Sequence, residues 1–553
     1  MFVRKLPFFL TATAAALGLA SVSPAAQQHL AVTPPMGWND WAHYQCNFTA
    51  QTILANARAL VATGLAARGY DTVTIDDCWM LKDRDKRGNL EPDPRRFPRG
   101  VRRVAAAIHA LGLRFGIYED AGSATCGGFA GSGSSVAGGK PHFLADARLF
   151  ASWGVDYLKL DGCNVNPATG ARGNAAYRAA YRAERLALEQ VGRPIVFSES
   201  APAYFQGTAQ WYDVLAWVRG YGQLWREGTD IATYDRRHPS RPRFASVMWN
   251  YEYNLELGRF QKPGNWNDAD FIIGGERGLT FAETRSQLAL WSMMSAPLIL
   301  SSNLDRLPLS AIGVLGNKAV LSVDQDPWGV MATLVHRSAT MDVLMKPLAR
   351  GGYAVAVLNR SPARLQVELA PRELGFAAAC RLDLQELWTG ARRASVDALA
   401  TGIEAHDTDI WKIRPAEGCG TPARVGAITR ILPDAPESGE DAEDYTRCVA
   451  APGIVQPCAG TAAQAWRVMP DGRLRSGREC LTQIANRATL AICRATEGQR
   501  WRYTLSGDLI NRASHGCLTG PASGGLAVEA CGHNLASQIW TLPNGMGKPR
   551  GVL

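Results

Sequence analysis

The stretch YLKLDGCN, residues 157–164, is a short apolar segment that ends in charged residues. In a β-strand alternate side chains point to the same face, so Tyr157, Lys159 and Asp161 must share one face. Burying a lysine and an aspartate in an ordinary core costs more free energy than their attraction returns. The pattern therefore predicts a strand whose end contributes charged groups to a pocket.

Similar segments alternate with stretches of helical periodicity along the first part of the chain. The other clear strands are DTVTIDD (71–77), RFGIYED (114–120), PIVFSES (194–200) and PLILSSN (297–303), and the helices are 101–111, 141–153, 174–191 and 281–294. This alternation predicts a (β/α)8 TIM barrel over residues 31–327. Nearly every strand ends in a carboxylate or hydroxyl, and such barrels carry their chemistry at that end.

Two further regions follow the barrel. Alternating segments such as MDVLMKPL and YAVAVLNR predict an antiparallel β domain over residues 328–420. The next segment, 421–443, is rich in proline, glycine, alanine and acidic residues, which predicts a linker.

The tail, residues 444–545, contains a threefold internal repeat. Each unit has two cysteines followed by Gln-x-Trp: Cys448, Cys458 and Gln464–Trp466; Cys480, Cys493 and Gln499–Trp501; Cys517, Cys531 and Gln538–Trp540. The repeat resembles a ricin-type β-trefoil, which implies tryptophans in a shared core and a polysaccharide as a candidate ligand. Sugar-binding members usually carry an aspartate soon after the first cysteine. Here the segments are CVAAP, CLTQI and CLTGP, so the prediction of sugar binding is weakened.

Composition indicates the cellular compartment of the protein and argues against some classes of partner. Residues 1–26 contain Arg4 and Lys5, an apolar run and then small residues, which predicts a cleaved signal peptide. Twelve cysteines in an exported chain favour disulfides, so we expect a secreted or periplasmic protein. The net charge of +9 is scattered along the chain, which argues against nucleic-acid binding. No later apolar run is long enough for a membrane helix. The sequence gives no indication of oligomeric state.

Acidic residues at the predicted strand ends suggest sugar hydrolysis. The set comprises Asp76, Asp77, Glu119, Asp120, Asp161 and Asp230. Cleavage of a glycosidic bond uses two carboxyl groups that flank it. Any single aspartate could instead cap a helix, but the whole set favours a sugar site.

Six motifs now identify a family resemblance. They are PPMGWNDW (34–41), TIDDCWM (74–80), GIYEDAGSATC (116–126), YLKLDGC (157–163), LWREGTDI (224–231) and PGNWNDADF (263–271). Their order and spacing resemble glycoside hydrolase family 27, the α-galactosidases and α-N-acetylgalactosaminidases. The resemblance spans residues 34 to about 410 and implies a β-sandwich after the barrel.

This resemblance implies a retaining mechanism with Asp161 as nucleophile and Asp230 as acid/base. It also implies that Trp38 stacks on the sugar and that the aspartate pair and the lysine bind its 3-, 4- and 6-hydroxyls. The implied substrate-binding residues are Trp38, Asp76, Asp77, Tyr118, Cys126, Lys159, Cys163, Ser200, Ala203, Tyr204, Arg226 and Asp270. No metal or organic cofactor is expected, because the two carboxyl groups suffice.

The two resemblances also imply a disulfide framework. The expected pairs are Cys46–Cys78, Cys126–Cys163, Cys448–Cys458, Cys480–Cys493 and Cys517–Cys531. Cys380 and Cys419 are left as a further candidate pair.

The segment PIVFSESAPAY departs from the α-galactosidase pattern. Ser200 and Ala203 resemble the small residues of the N-acetylgalactosaminidases, which leave room for an acetamido group. A family disulfide is replaced by Glu199 and Gly222, so this loop has been rebuilt. We therefore expect an α-galactosidase, with an α-N-acetylgalactosaminidase as the alternative.

Two other functions are less favoured. A β-L-arabinopyranosidase is disfavoured by Asp76, because an aspartate at this position favours a hexose. A non-catalytic carbohydrate-binding protein is disfavoured because Asp161 and Asp230 are both present.

Overall fold

A parallel barrel forms the first half of the protein. The computed structural model describes residues 30–134, 140–167, 170–431 and 446–543, so the predicted signal peptide lies outside the described residues. The barrel strands are β1 (Met36–Asn39), β2 (Thr72–Ile75), β3 (Arg114–Asp120), β4 (Tyr157–Asp161), β5 (Val196–Glu199), β6 (Leu224–Arg226), β7 (Trp266–Asp268) and β8 (Leu298–Leu300). They pair in the order β7-β6-β5-β4-β3-β2-β1-β8, and all neighbours are parallel.

The circle closes just after β7. The Ile272 N–H donates to the Ile299 carbonyl at 2.8 Å, and the Ser301 N–H donates to the Ile272 carbonyl at 2.8 Å. Glycine lets neighbouring strands approach inside the barrel: a Cβ on Gly116 of β3 would lie 2.3 Å from the Thr74 hydroxyl of β2. The predicted fold is therefore confirmed, including all five strands that the sequence indicated.

Helices surround this sheet. They are α1 (Trp41–Tyr44), α2 (Ala50–Ala62), α3 (Val101–His109), α4 (Phe143–Trp153), α5 (Gly170–Gln190), α6 (Trp211–Val218), α7 (Phe244–Leu255), α8 (Phe281–Met294), α9 (Leu309–Leu315) and α10 (Lys318–Asp324). Helix α8 begins with a capping box in which Thr280 and Glu283 satisfy each other's backbone N–H groups. Among the described residues, no helix has the length and apolar character needed to cross a membrane.

The second domain is antiparallel. Its six-stranded sheet contains β9 (Thr333–Arg337), β10 (Met341–Pro347), β11 (Tyr353–Asn359), β13 (Leu382–Glu386), β14 (Arg392–Val396) and β16 (Thr408–Pro415), and its two-stranded sheet contains β12 (Leu365–Leu369) and β15 (Leu399–Ile403). Apolar residues from both sheets, including Val355, Leu369, Leu384 and Trp411, share one core. This is the sandwich that the resemblance implies.

The third domain consists of short strands around three tryptophans. The strands are β17 (Val425–Gly426), β18 (Thr429–Ile431), β19 (Thr446–Ala450), β20 (Ile454–Pro457), β21 (Trp466–Val468), β22 (Leu474–Ser476), β23 (Glu479–Ile484), β24 (Arg487–Ile492), β25 (Trp501–Tyr503), β26 (Leu509–Asn511), β27 (Cys517–Thr519) and β28 (Gly524–Glu529). Trp466, Trp501 and Trp540 are buried, and each indole N–H donates to a backbone carbonyl. The tryptophans are therefore core residues.

The linker prediction for residues 421–443 needs correction. Strand β17 pairs with β21, and β18 pairs with β19, so residues 425–431 belong to the sheets of the third domain. Backbone groups of this segment also bond outside these pairings: the Ala427 N–H donates to the Leu334 carbonyl at 3.2 Å, and the Thr429 N–H donates to the Thr541 carbonyl at 3.1 Å. Composition alone does not reveal such partners. The rest of the predicted linker, from residue 432, lies outside the described residues.

A buried ionic cluster joins the three domains. Glu252 of α7 pairs with Arg337 and Arg360 of the sandwich, and both arginines also pair with Asp342. The Thr446 hydroxyl of the third domain donates to Glu252 at 3.1 Å. One glutamate of the barrel thus contacts both following domains.

Candidate active site

Asp161 stands at the carboxyl end of β4 with both carboxylate oxygens engaged. The Tyr204 hydroxyl donates to Oδ1 at 2.5 Å, and the Gly162 N–H donates to the same oxygen at 2.9 Å. The Tyr118 hydroxyl donates to Oδ2 at 3.1 Å. Three donors fix the orientation of this carboxylate.

Lys159 lies two residues earlier on the same face, as the strand period requires. Its ammonium donates to Asp76 Oδ2 at 2.8 Å, and Asn39 donates to the same oxygen at 2.7 Å. Burial alone lowers the pKa of Lys159, but the negative charges of Asp76, Asp161 and Asp230 raise it above its ordinary value. The lysine therefore stays charged, between the strand ends that carry these acids.

The neighbouring acids are held by backbone groups. Asp77 accepts from the Cys78 N–H at 2.6 Å and from the Gly127 N–H at 2.7 Å. Burial raises the pKa of Asp77. Asp120 accepts from the Cys163 N–H at 2.9 Å. Burial is the main cause that raises the pKa of Asp120 to about 8, and repulsion from the Asp161 carboxylate adds to it.

A second carboxylate pair surrounds Arg226 at the end of β6. The guanidinium lies 3.1 Å from Asp230 Oδ1 and 3.0 Å from Asp270 Oδ1. The Asp230 side chain is 72% exposed, whereas Asp270 is buried. Burial raises the pKa of Asp270 to about 6 despite the nearby arginine. Asp230 is thus held by a charged contact at an open surface, where a ligand can reach it.

The Cys126–Cys163 disulfide borders Asp161. Cys126 Sγ lies 3.6 Å from Asp161 Oδ2, and Cys163 Sγ lies 3.1 Å from the Tyr204 hydroxyl. Asp120 and Asp161 together with these sulfurs form a compact group, but the sulfurs are joined to each other and offer no thiolate to a metal. The bridge instead forms an apolar wall beside the carboxylate.

Six disulfides are present in the structure. They are Cys46–Cys78, Cys126–Cys163, Cys380–Cys419, Cys448–Cys458, Cys480–Cys493 and Cys517–Cys531. All five expected pairs are formed, and so is the further candidate pair.

The structure corrects the expected role of Trp38. Its side chain is fully buried, and its indole N–H donates to the Ser302 carbonyl at 2.8 Å, so no ring face is open to a sugar. Trp41, in the same motif, begins α1 just beyond the end of β1 and is only partly buried. Trp41 is therefore the better candidate for stacking at this strand end.

Among the predicted substrate-binding residues of the rebuilt loop after β5, Tyr204 contacts Asp161, whereas Ser200 is buried. Tyr204, in a short 3-10 helix (Ala201–Phe205), reaches the carboxylate, and Ala203 beside it is partly exposed. Ser200 is 4% exposed. Glu199 is buried against Gly222, where a Cβ would lie 2.3 Å from Glu199 Oε1. The glutamate therefore fills the space next to this glycine.

One contact was missed by the sequence reasoning. Phe271 follows the predicted Asp270, and its ring lies 5.1 Å from the Lys159 ammonium, while the Tyr118 ring lies 5.2 Å from it on another side. The lysine is therefore enclosed by two aromatic rings. The motif PGNWNDADF contains this residue, but only the closed barrel places it opposite β4.

The comparison with known families agrees with this geometry. Residues 33–326 match the family model described as "Alpha galactosidase A". The chain belongs to this family. Residues 338–413 match the "Alpha galactosidase C-terminal beta sandwich domain", and residues 442–540 match the "Ricin-type beta-trefoil lectin domain".

Similar proteins share most of the length of this α-galactosidase A family member. The probable α-galactosidase A of Aspergillus clavatus is 38% identical over 524 residues, covering 94% of this chain and 95% of the relative. The α-galactosidase A of Aspergillus niger is 36% identical over 546 residues, covering 97% and 96%. The crystal structure of α-galactosidase I from Mortierella vinacea superimposes with a TM-score of 0.62 at 27% identity, covering 70% of this chain and 98% of that one.

Proposed function

We propose that this protein is an extracellular retaining α-galactosidase that removes terminal α-D-galactosyl residues from oligosaccharides or polysaccharides. The observation that carries the proposal is the contrast between two carboxylates. Asp161 is fixed by three hydrogen-bond donors, whereas Asp230 is exposed and held by Arg226. A retaining glycosidase needs one fixed nucleophile and one carboxyl group that exchanges protons. Six disulfides support an extracellular location.

The first step breaks the glycosidic bond. The Asp161 carboxylate attacks the anomeric carbon, and Asp230 gives its proton to the leaving oxygen. The resulting ester joins the galactosyl group to Asp161. The hydrogen bonds from Tyr204 and Tyr118 hold the attacking oxygens in one orientation, which lowers the entropy cost of the attack.

The second step releases galactose. Asp230, now ionised, takes a proton from a water molecule whose oxygen attacks the anomeric carbon of the ester. The bond to Asp161 breaks and the carboxylate returns to its charged form. Arg226 lies 3.1 Å from Asp230 and stabilises the negative charge that this residue carries between the two steps.

Charged groups at the strand ends suit a polyhydroxylated ring. Asp76 and Asp77 provide acceptors and Lys159 provides a charged donor, all anchored by further contacts inside the barrel. Trp41 supplies an aromatic face at the end of β1. We assign the sugar hydroxyls to these residues and the stacking contact to Trp41.

A paired-substrate assay tests the proposal. An aryl α-galactoside and the matching aryl α-N-acetylgalactosaminide are offered to the full-length protein at equal concentrations. We expect the galactoside to be cleaved with the higher kcat/KM. Cleavage of neither substrate by folded protein would reject the proposed activity.

The same assay addresses the alternative function. Ser200 and Ala203 are small, and Ala203 is partly exposed beside Tyr204, which favours an α-N-acetylgalactosaminidase. A higher kcat/KM for the acetamido sugar would establish this alternative. Ala203→Leu should then reduce cleavage of the acetamido substrate more than cleavage of the galactoside, because the larger side chain occupies space beside the site.

A further inference from the structure

A large cleft is lined by Asp230 but not by Asp161. Its volume is about 1050 Å³, and its walls come from residues 44–47, from the loop 229–243 and from the start of α7. Because Asp230 lines this cleft and is the proposed proton donor to the leaving oxygen, we place the group attached to that oxygen in the cleft. The inference below rests on that proposed function.

The walls of the cleft are strongly basic. Four arginines and one histidine line it, against two aspartates, Asp230 and Asp235. Arg243 is neutralised by Glu276 at 3.0 Å, and His238 contacts Asp235 at 2.9 Å. Arg236, Arg237 and Arg241 form no salt bridge within the described part of the chain. These three exposed guanidiniums therefore leave a surplus of positive charge.

The loop that carries these arginines is anchored at both ends. The Ile231 N–H donates to Asp270 at 2.6 Å, and the Tyr234 N–H donates to the Ala42 carbonyl at 2.7 Å. The Tyr234 ring stacks on His43 with 4.6 Å between ring centres. At the other end, Arg243 donates to the Arg277 carbonyl at 2.9 Å. The basic side chains thus project from a fixed wall.

We propose that this cleft selects α-galactosides whose aglycone is an anionic sugar, such as a uronic acid residue of an acidic polysaccharide. Arginine forks match the geometry of carboxylate oxygens and bind them more strongly than they bind neutral hydroxyls. The cleft is large enough for more than one sugar ring, so an acidic chain can extend past the three arginines.

Two disaccharides that differ in one functional group test this inference. The first is the methyl glycoside of galactose α-linked to galactose. The second has galacturonic acid in place of the reducing-end galactose, with the same linkage. We measure kcat/KM for both at low salt and at about 0.3 M salt, at a pH where the uronate is ionised. We expect the acidic substrate to have the higher kcat/KM at low salt and salt to reduce this preference.

A double variant locates the preference in the cleft. In Arg237→Gln/Arg241→Gln, the ratio of acidic to neutral kcat/KM should fall by about three- to tenfold, because two partly exposed ion pairs are lost. Arg58→Gln/Arg68→Gln removes the same charge from exposed residues away from the cleft and should leave the ratio unchanged.

Three results would overturn the inference: an equal or higher kcat/KM for the neutral disaccharide, an unchanged ratio in the cleft variant, or an equal fall in the control variant. Failure to cleave either disaccharide or the aryl galactoside would instead reject the proposed function itself.

Discussion

Asp161 receives three hydrogen bonds and borders a disulfide, so the orientation of its carboxylate is fixed on both oxygens. Asp161→Asn keeps the size of the side chain but removes the proposed nucleophile. We expect kcat to fall by a factor on the order of 10³ or more, as for other residues that form covalent intermediates. Steady-state kinetics with an aryl α-galactoside measure the loss. Asp83→Asn, at an exposed position, is the control, and near-normal turnover by Asp161→Asn would disprove the assigned role.

Tyr204 tests the contribution of a single donor. In Tyr204→Phe the 2.5 Å hydrogen bond to Asp161 is absent, so the carboxylate is held less firmly in one orientation. The kcat/KM for an aryl α-galactoside should fall by about tenfold or more, since a hydrogen bond to a charged group contributes about 1.5 kcal/mol or more. Tyr353→Phe, in the sandwich core, is the matched control. An unchanged kcat/KM would refute this role of Tyr204.

Trp38 and Trp41 show where residue-level prediction fails. The motif GWNDW contains both indoles, and strand periodicity does not tell which one faces the sugar. The deciding contact is the hydrogen bond from Trp38 to the carbonyl of Ser302, which lies 264 residues away in the sequence. In contrast, Lys159 and Asp161 were predictable because their shared face follows from two positions of one strand.

At the scale of elements, long or strongly patterned segments were predictable and very short ones were not. Strand β3 has seven residues and ends where the sequence indicated, whereas β6 and β7 have three residues each. Three residues cannot display an alternating pattern, so only pairing with neighbours defines them. Strands β17 and β18 were hidden for the same reason inside a segment with the composition of a linker.

The close approach of Gly222, which precedes β6, to Phe197 and Glu199 of β5 allows a specific prediction. Gly222→Ala would place a Cβ 2.3 Å from Glu199 Oε1 and 2.8 Å from the Phe197 carbonyl, so β5 and the segment that leads into β6 must separate. We expect a loss of stability of about 1–3 kcal/mol, measured as a lower unfolding midpoint. Gly220→Ala is the control, since its Cβ would meet only the Trp217 carbonyl at 3.3 Å. Equal midpoints for the two variants would contradict this account of the rebuilt loop.

At the scale of the whole molecule, the buried ionic cluster predicts that removing one of its charges strongly lowers the stability of the protein. Asp342→Asn removes from the buried cluster the carboxylate that pairs with both Arg337 and Arg360. Removing one partner of a buried ion pair costs about 3–5 kcal/mol, which should appear in thermal unfolding of the full-length protein. Asp397→Asn removes an exposed carboxylate that lies 3.3 Å from Arg381 and should have little effect. Similar shifts for both variants would refute the importance of the cluster.

The pKa of Asp342 predicts how the stability of the protein changes at acidic pH. Burial alone raises the pKa of Asp342, but Arg337 and Arg360 lower it to about 2. Because this pKa lies below that of an unfolded aspartate, about 3.9, the stabilisation is present above pH 4 and is lost as the pH falls through about 2. The unfolding midpoint should drop over this range in the original protein and change less in Asp342→Asn. Parallel curves for the two proteins would contradict the assignment.

The third domain is fastened to the barrel at points far apart. Arg259 donates to the carbonyls of Leu505 and Ser506 at 2.7 and 2.9 Å, and Asn534 donates to Asp213 at 2.9 Å. These contacts, with the bond from Thr446 to Glu252, hold it in one orientation. A domain held by these contacts cannot reorient independently of the barrel to bind a distant polymer. Any polymer surface that the third domain binds therefore orients the entire enzyme. This orientation determines which chain ends can reach the proposed active site.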